Sequence, residues 1–340
     1  MNILRNLKVP TGNILVVNGD KGSLEMLSLG DYGKEKNLVA DFLGLSRKID
    51  MVKHGSMLPL EEKWVITVST QYSCNIGCFF CDVPKVTFPN RQDINATQTD
   101  LIQQVLTGIH LHPEVKQCKH LNVHFARMGE PTWNPNVLET ARWMRQHLYK
   151  NDIGEIHYNV HPVVSTMMPK RNEWLKTFIH TWMRIKNRLY DGNAGLQLSI
   201  NSTNDAERDA MFNKSALPLY QIANVMEGII PFGRKITLNF AVAGYEIDPD
   251  VLLRYFNPEH YVIKLTPMHK TLACIKNNIK TEGDYTQYHC YKSYEESLKK
   301  AGYDVLVFIA SHEEDASRIT CGNAILSGTL PETTYEDIKI

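Results

Sequence analysis

No run of 18 or more apolar residues occurs in the 340-residue sequence, which excludes a membrane-crossing helix. Neither charge sign is in excess: Lys plus Arg and Asp plus Glu both number 37, so no global basic field advertises a nucleic-acid partner. A local patch would still suffice to hold phosphates. The opening segment from Met1 to Pro10 holds few apolar residues, broken by Asn and charges, and does not read as a signal peptide. Cysteine is sparse, at 7 residues with three clustered, which argues against a secreted disulfide framework and for a reducing cytoplasm. Internal repeats and low-complexity segments are missing too. What remains, 43% hydrophobic and 22% charged, is an ordinary globular composition.

From about residue 63 onward, short β-branched or apolar runs alternate with longer helical stretches. Strands are expected at 64–69, 121–125, 156–164, 196–201, 236–242 and 261–265, with a seventh at 305–309. Helices are expected near 97–110, 136–148, 172–185, 205–212, 218–228, 249–256 and 293–301. Thr97 with Asp100, and Asn204 with Glu207, are helix N-terminus signals. Such alternation means βαβ units and an α/β fold with a parallel sheet, as a partial barrel or an open doubly wound sheet. In either case chemistry belongs at the C-terminal ends of the strands. Residues 1–55, with Gly12, Gly19, Gly22, Gly30, Gly33 and an amphipathic piece at 38–45, read as a small appendage of two or three strands and a helix. Residues 56–310 form the expected main domain, and 311–340 a C-terminal loop and acidic tail.

After the first strand of the main domain come Cys74, Cys78 and Cys81, a C-x3-C-x2-C spacing. Cysteine thiolates are the usual protein ligands of iron–sulfur clusters, and a short loop lets three reach one cube. Three ligands for four irons leave one iron open to a small molecule. Phe79 and Phe80 are expected to shield such a cluster from water. Two alternatives stand beside this reading: three buried cysteines packing as small hydrophobes, and a zinc site. Zinc prefers four protein ligands in paired knuckles, and no second C-x2-C exists.

This triplet, with an aromatic residue before the third Cys, resembles the signature of the radical S-adenosylmethionine (SAM) superfamily. The longer string from Val68 to Cys81 resembles the opening of its RlmN/Cfr-like branch, the RNA adenine-carbon methyltransferases. The likeness continues in order through most of residues 55–325. Met128-Gly129-Glu130-Pro131 with Asn134 is similar to the Gly-Glu-Pro strip that holds the SAM amino group. Val164-Ser165-Thr166 resembles a Ser-Thr motif in which Ser165 would bind SAM. Leu198-Ser199-Ile200-Asn201, then Asn204-Asp205 and Arg208, resembles a further SAM-contacting strip. Ile263 to Pro267 is similar to the family's Leu-Ile-Pro strand, and Ser317 to Gly322 to the loop whose Cys accepts a methyl group.

The resemblance implies a radical SAM partial (β/α)6 barrel, a 4Fe–4S cluster on Cys74, Cys78 and Cys81, and SAM bound by Gly129, Glu130, Ser165 and Ser199. It implies a reducing electron donor such as flavodoxin and an RNA or nucleotide substrate. It assigns Cys321 as methyl carrier: the thiolate takes a methyl group, and a radical made there adds to an adenine carbon that is not nucleophilic enough for polar transfer.

Three departures matter. The family's resolving cysteine is here Thr67, a hydroxyl that forms no disulfide. The family's glutamate base aligns by spacing to His54, which titrates near neutrality. Its SAM-contacting His and Asn align to Asn201 and His269 respectively. Cys118 precedes the second strand and reads as packing, whereas Cys274 and Cys290 lie where either could replace the missing thiol. The leader is shorter than the family's RNA-binding domain; Arg171, Lys176, Arg184, Lys186, Arg188 and Tyr190 are a candidate RNA patch. Three readings therefore compete: an RNA adenine methyltransferase, a diverged radical SAM enzyme that completes one half-reaction or uses another substrate, and a cluster-bearing binding protein. Retention of the SAM-contacting strips argues against the third.

Overall fold

The computed structural model describes residues 1–46, 57–83, 86–90, 93–148, 157–279, 288–310, 314, 316–319 and 325–330. Its strands are β1 (Ile3–Val9), β2 (Gly12–Asn18), β3 (Ser23–Leu29), β4 (Leu38–Val39), β5 (Trp64–Val68) and β6 (Gln117–Phe125). There follow β7 (His157–Thr166), β8 (Gly195–Ser199), β9 (Ile236–Val242), β10 (Tyr261–Pro267) and β11 (Asp304–Phe308). The helices are α1 (Lys34–Asn37), α2 (Gln98–His110), α3 (Asn136–His147), α4 (Leu175–Arg184), α5 (Asp205–Met211), α6 (Leu219–Met226), α7 (Pro249–Leu253), α8 (Leu272–Lys276) and α9 (Lys292–Lys300).

The strand period explains the architecture. In β5, Trp64, Ile66 and Val68 are buried, while Val65 and Thr67 line an interior cavity. In β10, Tyr261, Ile263 and Leu265 are buried, while Val262, Lys264 and Thr266 line that cavity. Successive side chains point to opposite faces, so each strand buries one apolar row among the helices and offers a polar row to the interior. Each fully buried Leu or Ile of the outer row contributes roughly 1.5–3 kcal/mol.

All eleven strands form one sheet, in the order β1-β2-β3-β5-β6-β7-β8-β9-β10-β11-β4. From β5 to β11 every pairing is parallel. The sheet is not closed, since its end strands β1 and β4 do not pair with each other. The expected α/β partial barrel is present. The strands read as an appendage belong to the same sheet: β3 pairs antiparallel with β5, and β4 pairs antiparallel with β11 at the opposite edge.

Local chemistry sets the element ends. Thr97 and Asp100 form the expected capping box on α2, and Asn204 accepts from the Ala206 and Glu207 amides to cap α5. β8 stops at Ser199, and Asn201 takes a left-handed φ of 60°. β6 starts earlier than expected because a register shift between Cys118 and Leu121 lets polar residues join it. The candidate RNA patch is corrected. A π-helical turn at Ile185–Leu189 follows α4, and in it the helix turns Lys186 and then Tyr190 inward. Lys186 Nζ donates to Phe232 O at 2.5 Å and Tyr190 Oη to Ala141 O at 2.6 Å. Arg171, Lys176, Arg184 and Arg188 remain exposed. Among the described residues no helix is long and apolar enough to cross a membrane.

Candidate active site

The cysteine loop leaves the C-terminal end of β5 and is gripped from two sides. Phe79 N donates to Met211 O at 3.0 Å and Asn213 Nδ2 to Ile76 O at 3.2 Å, tying the loop to the end of α5. Thr271 Oγ1 donates to Phe80 O at 2.7 Å, and Asp82 accepts from the Leu272 and Ala273 amides at 3.2 and 3.0 Å at the start of α8. Gly77 turns the chain at φ 73°, and an added Cβ would meet Asn213 Nδ2 at 3.0 Å. Cys74, Cys78 and Cys81 all line the interior cavity, whose volume is about 610 Å³. Burial raises the Cys74 thiol to about 11 and also pushes the Cys78 thiol well up, the latter helped by its two cysteine neighbours. Thiols such as Cys74 and Cys78, which disfavour charge alone, suit a cationic metal centre, which takes thiolates. Among the described residues no His, Cys, Asp or Glu groups converge tightly enough for a single ion. A four-iron cube is larger than one ion, so its ligands stand farther apart. Phe80 lines the cavity edge-to-face with Phe212, but Phe79 is 40% exposed, so the shielding expected of both falls to Phe80.

Every expected SAM-contacting residue also lines this cavity: Gly129, Glu130, Ser165, Ser199, Asn201 and His269. Gly129 has φ 92°, and a Cβ there would strike the Gln71 side chain at 2.5 Å, so only glycine fits. Gln71 Oε1 in turn accepts from Glu130 N at 2.9 Å. The Glu130 carboxylate accepts from Thr132 N at 3.1 Å, Thr132 Oγ1 at 2.8 Å and Met167 N at 3.1 Å. Burial raises its pKa while these donors pull it down. A fixed carboxylate facing a cavity is suited to accept from an ammonium group. Glu130→Ala is therefore expected to weaken SAM binding at least about tenfold, read by equilibrium binding. Unchanged affinity would count against this assignment. Asn134, from the same strip, bridges Thr70 O and Ala96 O and acts as a brace. Arg208 braces the β8 end by donating to Ser199 O at 3.2 Å and to Ile200 O.

Deeper in the cavity stands His124 on β6, whose pKa is pushed down to about 3, first by burial and then by Lys264, Arg234 and Lys63. His161 is lowered to about 4, chiefly by burial. Between the ordinary value of 6.5 and these folded values, the unfolded chain binds protons that the folded one refuses. Stability is therefore lost as pH falls through that window. The melting temperature is expected to drop between about pH 6.5 and pH 4, and His124→Asn to flatten the drop. A flat wild-type profile would refute this.

The C-terminal segment is held by a pair that the motifs did not flag. Arg127 Nε and Nη2 donate to Glu25 Oε1 at 3.0 and 2.5 Å, and both side chains are buried. Arg127 Nη1 donates to Arg318 O at 2.8 Å, while Glu25 Oε2 accepts from the Ile325 and Leu326 amides at 2.8 and 2.9 Å. One ion pair thus holds the chain on both sides of residues 320–324. A lone Glu within the apolar run of β3 was the available signal. Cys321 and His54 lie outside the described residues. Thr67 lines the cavity; Cys118 is a core residue, as expected. Cys274 is buried beside the cysteine loop, donating to Phe80 O at 3.7 Å, and Cys290 packs on the main core. Among the described residues, neither Cys274 nor Cys290 lines the cavity.

The fold and this cavity define a class. The chain is similar to the crystal structure of a radical SAM methyltransferase from Sphaerobacter thermophilus, with a TM-score of 0.59 over 92% of this chain and 78% of that one. At 16% identity, that likeness is one of fold. In sequence, the chain is 25% identical over 200 residues to the dual-specificity RNA methyltransferase RlmN of Anaeromyxobacter sp. (strain Fw109-5). The match covers 55% of this chain and 46% of that protein, so the chain spans about half the length of this relative. No protein-family model matches the chain. The resemblance to the RlmN/Cfr-like branch read from the motifs is met in sequence by the RlmN match, and the fold is like that of a radical SAM methyltransferase.

Proposed function

We propose that this chain is a radical SAM methyltransferase that binds a 4Fe–4S cluster and SAM in the barrel cavity and carries a methyl group on Cys321. The supporting observation is the meeting, in one cavity, of Cys74, Cys78 and Cys81 with Gly129, Glu130, Ser165, Ser199, Asn201 and His269, drawn from the ends of five strands. In this reading the three cysteines hold the cluster, which when bound supplies an open iron and the electron for reductive cleavage of SAM. Glu130 receives the SAM ammonium, and Ser165, Ser199, Asn201 and His269 complete the binding surface. Phe80 keeps water from the cysteine loop. His54 is the residue that moves a proton, and an external reductant such as flavodoxin supplies electrons. The RNA methyltransferase relative supports RNA as the acceptor, and the motif resemblance points within it, or within a nucleotide, to an adenine carbon.

A second reading rests on Thr67. It lines the cavity where the family pattern has a thiol, and neither Cys274 nor Cys290 reaches that space among the described residues. Without a resolving thiol, a product joined to Cys321 is not released by disulfide formation. The chain then completes one half-reaction or serves a different substrate. Mass spectrometry of enzyme incubated with SAM tests the first reading, with a methyl group on Cys321 expected. An unmodified Cys321 would sink it. Incubation of the reduced enzyme with SAM and RNA then separates the two. An adduct held on Cys321 favours the second reading. Multiple turnovers by a Cys274→Ala, Cys290→Ala double variant would show that Thr67 is no obstacle.

A further inference from the structure

The floor of the cavity carries two cations that lack a counter-charge in the described chain. Lys264 on β10 and Arg234 just before β9 both line it. Lys264 Nζ stands 5.4 Å from the centre of the Phe308 ring. Arg234 extends over Gly195, where a Cβ would meet its Nη1 at 3.1 Å, so the glycine leaves room for the guanidinium. The carboxylates that line the cavity are engaged elsewhere. Asp31 pairs with Lys63 at 2.7 Å, and Glu130 is held by Thr132 and Met167. Among the described residues no carboxylate lies within ion-pair distance of Lys264 or Arg234.

The electrostatics agree with that geometry. Burial first, then Arg234 and Lys63, push the Lys264 ammonium down to about 8, and no negative group opposes them. Arg234 is exposed yet lines the cavity, and desolvation by the surrounding protein lowers its pKa. Buried charges are ordinarily paired, because desolvation without a partner is expensive. Lys264 is half-buried and Arg234 exposed, and the charge of Arg234 acts on Lys264; two such cations on one cavity, neither paired with a carboxylate among the described residues, suit an anion that arrives from outside. Neutral polar side chains complete the floor: Gln197 is in register with Thr237, and Asn239 with Lys264. A guanidinium fork, an ammonium and side-chain amides make a donor set for phosphate.

We propose that this floor binds the phosphate group of a small substrate. Lys264 stands at the middle of β10 and Arg234 precedes the start of β9, whereas the cysteine loop sits at the C-terminal ends of the strands, so the rest of the ligand extends toward the cysteines. A cavity of about 610 Å³ has the size of a small-ligand pocket. The role as a substrate subsite rests on the function proposed above; the anion site itself does not.

The test uses the full chain, anaerobically reconstituted and titrated with inorganic phosphate against chloride and acetate at equal ionic strength, with melting temperature as readout. Phosphate is expected to raise it saturably. Lys264→Met and Arg234→Gln should each weaken phosphate affinity at least about tenfold, and raise the melting temperature without phosphate by removing one of two repelling cations. Lys300→Gln on the exposed surface should change neither. In the wild-type chain, phosphate should also slow acylation of Lys264 by an amine-reactive reagent, located by mass spectrometry, which serves if a variant fails to fold. Equal responses to chloride, a response to acetate alone, or unchanged phosphate binding in both variants would overturn the proposal. SAM cleavage, measured in parallel, separates the two readings. A phosphate response without cleavage removes the radical reading and leaves the anion site; cleavage without a phosphate response does the reverse.

Discussion

Replacing Cys74, Cys78 and Cys81 together by alanine is expected to take bound iron from about four per chain to near zero after anaerobic reconstitution. The size of the effect follows from the placement of the ligands. All three thiols hang on one loop and face one cavity, so their loss removes the whole donor set at once. The loop itself should persist, because its anchors are main-chain and neighbouring groups: Phe79 N to Met211 O, Asn213 to Ile76 O and Thr271 to Phe80 O. Iron analysis and visible absorption, with circular dichroism to confirm folding, read the outcome. Full cluster content in a folded triple variant would remove the basis of the proposed function.

The second large effect is expected at Glu25. Glu25→Ala leaves Arg127 buried without its charge partner and frees the Ile325 and Leu326 amides. Breaking a buried pair in this way costs about 3–5 kcal/mol. Denaturant unfolding should show that loss as a lower midpoint at an unchanged slope. Hydrogen exchange should also speed at Ile325 and Leu326 beyond what the global loss accounts for. A variant with wild-type stability and exchange would show that the pair is incidental. Glu25→Gln keeps an acceptor for one of these donors and should lie between the two.

Much of the barrel was legible in the sequence because its strands bury one row and expose the other to a polar interior. β9 and β10 read clearly for that reason. β6 read short, since Lys119 and His120 interrupt its apolar row at the register shift. The site was legible as motifs: cysteine spacing and the Gly-Glu-Pro strip are local, and the fold brings them into one cavity. Glu25, Arg127, Arg234 and Lys264 belong to no local pattern. Glu25 and Arg127 matter through partners up to 301 positions apart, as with Leu326 N and Glu25, and Arg234 and Lys264 through the cavity that the fold brings them to. Lys186 and Tyr190 were misread because a π turn breaks the 3.6-residue phase on which a surface stripe depends.

The first forty residues cover both margins of the parallel sheet: β3 lies along β5, and β4 along β11. A seven-strand parallel sheet left bare at both sides would offer unpaired amides and carbonyls to any passing chain. In the finished molecule those margins are replaced by safer ones. One is the two-residue β4; the other is β1, with Arg5 and Lys8 exposed and a register shift near its start. The order of synthesis gives this a cost. β4 is made early, yet its partner β11 ends at Phe308, so the far margin stays open until most of the polypeptide has emerged. Deleting residues 1–46 should therefore yield insoluble aggregate instead of a weakened enzyme, because what is lost is the shield against self-association.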